Sequence, residues 1–204
     1  IESAIQTAVL SKTAYVSGVE RDFLVSTPLE SVIVQTTVNC FRQATNTATH
    51  AISANHPTID MWFGVVPANN QTNNRPLLFS TYDAAPPISS ARLVVQSAEL
   101  IKGNECFMRI YSGLENWGKI PRDAVCYHSF AVNPQAAHKT YTGSMNLSRI
   151  DNISLTLTLT GQSGVTAPAG ARGAACEGAH VVVVSRCYNI LRCKSGLGGV
   201  AFST

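Results

Sequence analysis

Five histidines (His50, His56, His128, His138, His180) and six cysteines (Cys40, Cys106, Cys126, Cys176, Cys187, Cys193) are the side chains best suited to hold a metal or to act as nucleophiles. Their spacing argues against both uses. No CxxC pair occurs, and no Cys/His spacing matches a zinc site or a thioredoxin-like motif. A catalytic metal on a β scaffold needs closely spaced histidines followed by a carboxylate. His128, flanked by Tyr127 and Ser129, has no second ligand two residues away. No G-x-S-x-G nucleophile elbow is present. The glycine-rich Ser195–Gly199 segment lacks the Lys-Ser/Thr pair and the following helix of a phosphate-binding loop. The expectation is therefore no metal, no cofactor and no enzymatic activity. The thiols are expected to be free, buried small hydrophobes in a reducing compartment, with a disulfide as the competing reading.

One polar constellation stands out. In Ser148-Arg149-Ile150-Asp151-Asn152, Arg149 and Asp151 sit two apart just before a strand, so they can project from one side and pair with each other or with neighbours. Asp151 and Asn152 also suit a turn or bulge at the strand's entry. Ser148, Arg149, Asp151 and Asn152 are the candidate site residues, either as a local polar network that stabilises the fold or as an inter-subunit contact. Asn-x-Ser/Thr sequons at Asn70, Asn146 and Asn152 need a secretory route to be used.

The elements that must position these residues are strands. Short Val/Ile/Thr/Leu runs alternate with Gly, Pro, Asn and Ser clusters, as in a sandwich or barrel. Ile153–Thr160 alternates strictly, with Ile153, Leu155, Leu157 and Leu159 on one face and hydroxyl side chains on the other. Further strands are expected at Thr13–Val16, Phe23–Ser26, Ser31–Asn39, Asp60–Val66, Arg92–Leu100, Cys106–Tyr111, Cys126–Ala131 and Val181–Arg186, and a last one at Val200–Phe202. The Val181–Val184 run lacks alternation and predicts a central strand covered on both faces, or one gripped between subunits. Pro67–Pro87, Gly161–Gly178 and Ala44–Asn55 read as loops. A short helix fits within Glu115–Asp123, limited by Pro121. The strand count and long connections predict an all-β, eight-stranded jelly roll of two four-stranded sheets.

At 204 residues the chain is long enough for a substantial core. Its charged share is only 13%, about half the usual content of a soluble domain, which predicts that much surface meets protein instead of water. A net charge of +3 with no Lys/Arg run predicts no direct nucleic-acid binding. The apolar runs are far shorter than a bilayer span, so no membrane insertion is expected. Trp62, Trp117, Tyr111 and Tyr141 keep open a carbohydrate-binding β-sandwich, in which aromatics stack on sugars.

Tyr127–Pro134 (YHSFAVNP) followed by Tyr141–Asn152 (YTGSMNLSRIDN), and the closing Tyr188–Thr204 (YNILRCKSGLGGVAFST), resemble signatures of the major capsid proteins of nucleocytoplasmic large DNA viruses. Weaker similarity extends to Asp60–Phe63 and to the Ile120-Pro121 turn. The resemblance implies two jelly rolls in tandem, of which residues 1–204 match the second. The chain, which opens on Ile1 without an initiator methionine, is then expected to be a piece of a longer polypeptide whose N-terminal roll is absent. It further implies three chains per pseudo-hexagonal capsomer and capsomers tiling an icosahedral shell. Partners would be the chain itself, neighbouring capsomers and minor capsid proteins, with assembly in the host cytoplasm. A single-roll minor or vertex capsid protein is the alternative within the same setting.

Overall fold

The computed structural model describes residues 11, 14–68, 70, 78–80, 86–121, 124–160 and 178–202. The chain divides into two compact units, Val32–Asn189 with Phe202–Thr204, and Ile1–Ser31 with Ile190–Ala201.

The larger unit is built on strand alternation. In β8 (Ile153–Leu159) the four aliphatics are buried, while Ser154, Thr156 and Thr158 are half-buried on the other face. β8 sits in a sheet of order β2-β8-β4-β5, with β2 spanning Thr47–Ala51, β4 Ile88–Val95 and β5 Ala98–Asn104. The hydroxyl face is used in pairing, since Thr49 and Thr156 join side chain to side chain at 2.8 Å and Thr47 donates to Thr158 at 3.3 Å.

The second sheet has the order β1-β9-β3-β6, with β1 spanning Leu29–Gln43, β9 Ala179–Lys194, β3 Pro57–Val66 and β6 Val125–Ser129. The short strands β7 (Met145–Asn146) and β10 (Leu197–Val200) pair with β3 and β9. Successive strands change sheets at every connection except the β4–β5 hairpin, the β6–β7 step and the β9–β10 hairpin among the described residues, and β1 to β2, β2 to β3, β3 to β4, β5 to β6, β7 to β8 and β8 to β9 all cross, which is jelly-roll wrapping. The two sheets do not match the expected pair of four-stranded sheets: one has four strands and the other six, because β7 and β10 pair onto β3 and β9.

Met61, Phe63 and Val65 of β3, Leu93 of β4, Leu155 and Leu157 of β8, and Val181 and Val183 of β9 fill the space between the sheets. Each such side chain contributes about 1.5–3 kcal/mol of transfer free energy. The Val181–Val184 run is a central strand, but its faces differ: Val181 and Val183 are fully buried, Val182 and Val184 half-buried. Gly178 opens β9 with φ +92°, and a Cβ there would lie 2.5 Å from the Gln43 carbonyl oxygen, so only glycine fits.

Several expected elements changed type. Phe23–Ser26 belongs to helix α1 (Gly18–Ser26), started by a capping box in which Ser17 and Glu20 satisfy each other's backbone N–H. Cys106–Tyr111 is not a strand: Phe107–Tyr111 forms a π-helical turn running into helix α2 (Ser112–Trp117). Asn104 Oδ1 accepts from Phe107 N, Glu105 pairs with Arg109 one turn on, and Phe107 stacks on Tyr111 at 5.3 Å, all helical spacings. α2 lies earlier than expected because Gly118, at φ +63°, ends it. Arg92–Leu100 is split by a hairpin turn at Gln96-Ser97, and the Ala44–Asn55 loop contains β2. Residues 14–16 form no strand, and the last strand is β10, ahead of the expected Val200–Phe202. The loops expected over Pro67–Pro87 and Gly161–Gly178 lie largely outside the described residues, as does Cys176.

The smaller unit contains α1, the first residues of β1 and the β9–β10 hairpin. Ser195 and Gly196 both have positive φ (53° and 75°), the two-residue turn whose twist matches paired strands. Arg192 pairs with Glu30 at 2.7 Å. None of this unit's described residues is buried, and Tyr15, Val19 and Leu197 are strongly exposed. Among the described residues no helix is long and apolar enough to cross a membrane.

Candidate functional site

The Ser148–Asn152 segment is held by its backbone and its apolar members. Asn146 Oδ1 accepts from Ser148 N at 3.1 Å and starts a 3₁₀ turn over Leu147–Arg149. Leu147 is fully buried, and its N–H donates to the His56 carbonyl at 3.3 Å. The Ile150 N–H closes the turn on Leu147 O at 3.1 Å, and Asn152 O accepts from Gln96 N at 2.9 Å as the chain enters β8. Ser148, Arg149, Asp151 and Asn152 are all exposed. Among the described residues neither Arg149 nor Asp151 forms an ion pair, so the expected pairing between them is not made. The turn presents four polar side chains to the outside on a rigid base.

The buried polar network of the molecule lies elsewhere. Asp60 of β3 is fully buried and takes a two-pronged contact from Arg186 of β9, with Nε donating to Oδ1 at 2.8 Å and Nη2 to Oδ2. The Tyr127 hydroxyl donates to Asp60 Oδ2 at 3.1 Å. Arg186 Nη2 also donates to the Pro134 carbonyl at 3.3 Å, and the guanidinium lies 5.1 Å from the centre of the Trp117 ring. Hydrogen bonding to Asp60 raises the Arg186 pKa further, and burial raises that of the Tyr127 hydroxyl. This cluster ties α2 and the 3₁₀ turn Pro134–His138 to the sheet. In the sequence the pair is one acid in the mostly apolar β3 and one base after the valine run of β9, 126 residues apart.

The histidines do not converge, and among the described residues no group of three His, Cys, Asp or Glu side chains is arranged to hold a metal ion. His50 is buried, stacked on Phe41 at 4.9 Å, with Nε2 at 3.0 Å from Gln43 Oε1. The Gln43 amide nitrogen is committed to carbonyls, including Leu157 O at 3.2 Å, so His50 is the donor. Burial lowers the pKa of His50 and of His128.

All five described cysteines are free. Cys126 and Cys187 are buried, and burial, helped by the charge of Glu105, pushes the Cys126 thiol up to about 12. Cys40 and Cys106 are exposed, contrary to the expectation of burial. Each aromatic expected of a sugar platform has a ring neighbour within the chain, although Tyr111 and Tyr141 are exposed. Trp62 packs against Tyr127 at 4.4 Å and Trp117 at 5.6 Å, Tyr111 on Phe107, and Tyr141 on Tyr188 at 5.1 Å. At the Asn70 sequon the side chain is buried, and its amide donates to Leu78 O and Ser80 O.

No curated protein sequence is significantly similar to the chain. Among solved structures it resembles a quasi-atomic model of the PBCV-1 virus capsid, with TM-score 0.73 and 20% identity over 93% of this chain and 55% of that one. It also resembles the Faustovirus major capsid protein, with TM-score 0.66 and 12% identity over 86% of this chain and 36% of that one. At these identities the likeness is one of fold. The chain spans about half the length of the PBCV-1 protein it matches and about a third of the Faustovirus one. A family model described as the large eukaryotic DNA virus major capsid protein matches residues 20–199, nearly the whole of the two sheets. With its signature turn, its jelly-roll strand order and that match, this chain belongs to the major capsid protein family of large eukaryotic DNA viruses.

Proposed function

We propose that the chain is the C-terminal roll of a tandem jelly-roll protein that builds the icosahedral outer shell of a large double-stranded DNA virus. Three copies form a pseudo-hexagonal capsomer, and capsomers meet one another and minor capsid proteins in a shell assembled in the host cytoplasm. The part is structural, with no cofactor, no direct nucleic-acid contact and no membrane insertion. The observation that carries this reading is the family match over residues 20–199 on a chain with the jelly-roll strand order. The 13% charged share supports it, because few ions need to be desolvated when surfaces meet.

The exposed Ser148, Arg149, Asp151 and Asn152 belong to the inter-subunit surface in this reading. Their side chains do little for the turn beyond the Ser148 contact to Asn146, which leaves them free to meet a neighbour. Size-exclusion chromatography with light scattering on the full-length protein tests the reading. A trimer is expected, and a stable monomer at micromolar concentration would overturn it. Arg149→Ala is expected to weaken the trimer while leaving the melting temperature unchanged; equal losses in both would count against an interface role.

A further inference from the structure

A cavity of about 390 Å³, a size suited to a small molecule, is lined by Asn55, His56, Pro57, Asn146, Ser148 and Phe202. All six belong to the larger unit. His56 is only 6% exposed, and its Nε2 is buried without a hydrogen-bond partner among the described residues. A buried polar nitrogen left unpaired is costly, and a polar group delivered into the cavity would remove that cost. His56 also sits at φ +79°, a backbone region that disfavours a side chain. It is fixed there, because its carbonyl accepts from Leu147 N and from Thr58 Oγ1, both at 3.3 Å. Strain held in place by its surroundings collects at binding sites.

The other polar groups of the lining are already set. Asn146 Oδ1 is committed to Ser148 N at 3.1 Å and Ser148 Oγ at 2.5 Å. Asn146 therefore keeps its amide hydrogens for a ligand, and the Ser148 oxygen, having given its proton, is left as an acceptor. The exposed Asn55 amide can donate and accept. Phe202 is 57% exposed, yet its backbone is held by the Asn189 amide, which donates to its carbonyl at 2.8 Å. Among the described residues no Lys, Arg, Asp or Glu lines the cavity, and the adjoining cleft that shares Asn55 and Ser148 adds one acid, Asp151, and no base. An anionic ligand would find no counter-charge here. What fits is a neutral molecule with several hydroxyls, which both donate and accept, and with an apolar face for the Phe202 ring. A pyranose has both.

We propose that this cavity binds a neutral saccharide unit, whose C–H face lies on Phe202 while its hydroxyls meet Asn55, Asn146, Ser148 and His56. The site is additional to the shell-building role and does not rest on trimer assembly. Ser148 is also part of the turn assigned above to subunit contact, so the test is made on the full-length protein in whatever assembled state it adopts.

Saturation-transfer NMR provides the test, with methyl glycosides of glucose, galactose, mannose and N-acetylglucosamine as probes and N-acetylneuraminic acid as the anionic control. At least one neutral probe is expected to receive signal through its ring C–H protons. Phe202→Ala is expected to abolish that transfer, and Asn55→Ala to weaken binding about ten-fold, the loss of one hydrogen bond. Both side chains are exposed, so both variants should melt with the wild type. Absence of transfer to every neutral probe would overturn the proposal, and a capsomer that covers the cavity would give that result. Equal transfer in the wild type and both variants, or tighter binding of the anionic control, would overturn it as well. Should Phe202→Ala melt early, Asn55→Ala alone decides between these outcomes.

Discussion

Asp60 and Arg186 show how a charged pair survives in the interior. Each prong of the guanidinium meets a carboxylate oxygen, Tyr127 supplies another donor, and Trp117 lies against the cation. Removing one partner leaves the other charge buried and unpaired, which costs more than the pair itself is worth. Asp60→Ala is expected to destabilise the larger unit by about 3–5 kcal/mol in urea denaturation. The double variant Asp60→Leu with Arg186→Met should lose far less. A double variant as unstable as the single one would show that the network adds net stability beyond avoiding an orphaned charge. The loss of Arg186 should also loosen the Pro134–His138 turn, seen as faster amide hydrogen exchange there.

Among the elements, the β4–β5 hairpin is the most informative departure from what the sequence predicts. Its two turn residues, Gln96 and Ser97, have φ of 47° and 69°, the left-handed conformation usually filled by Asn and Gly. With neither residue present, an uninterrupted strand from Arg92 to Leu100 is the natural reading of the sequence. The turn forms because the strands on either side pair from Ser90 with Asn104 to Val95 with Ala98, and Gln96 N–H is satisfied by Asn152 O. Tertiary pairing thus holds two residues in a conformation that disfavours a Cβ. Ser97→Gly is expected to raise stability by about 1 kcal/mol in thermal or chemical unfolding, by relieving that cost. No gain, or a loss, would mean that the Ser97 side chain makes a compensating contribution. α1 and the π-helical turn, by contrast, carry local helical spacings, Ser17-x-x-Glu20, Glu105/Arg109 and Phe107/Tyr111, which a reading of Phe23–Ser26 and Cys106–Tyr111 as strands leaves unused.

For the molecule as a whole, the buried imidazoles connect stability to pH. The folded-state pKa values of His50 and His128 are lowered from 6.5 by burial, so below 6.5 the unfolded chain binds these protons more readily than the folded one. The stability they contribute is fully present above that value and is lost as the pH falls through it toward the folded-state values. Urea midpoints are therefore expected to fall between about pH 7 and 5, and the fall should be shallower in His50→Gln, where an amide can still face Gln43. An unchanged pH profile in His50→Gln combined with His128→Gln would exclude these two groups as the cause. Acid loosening of the larger unit would also loosen every contact made by its surface.

The sequence by itself determined the all-β class, the strongest strands and the family. Period-two alternation in β8 and the run of valines in β9 are local patterns, and the signature segments are contiguous. It also placed the candidate residues Ser148, Arg149, Asp151 and Asn152 just ahead of β8, where the structure has them exposed on a turn anchored by Leu147. Only the tertiary structure decided what depends on residues far apart. The Asp60–Arg186 network joins positions 126 residues apart, β2 becomes a strand through its pairing with β8, and the cavity beside His56 is assembled from three separate segments. Each of these rests on contacts whose loop-closure entropy is met by the burial of the whole sandwich core, which no local stretch of sequence encodes.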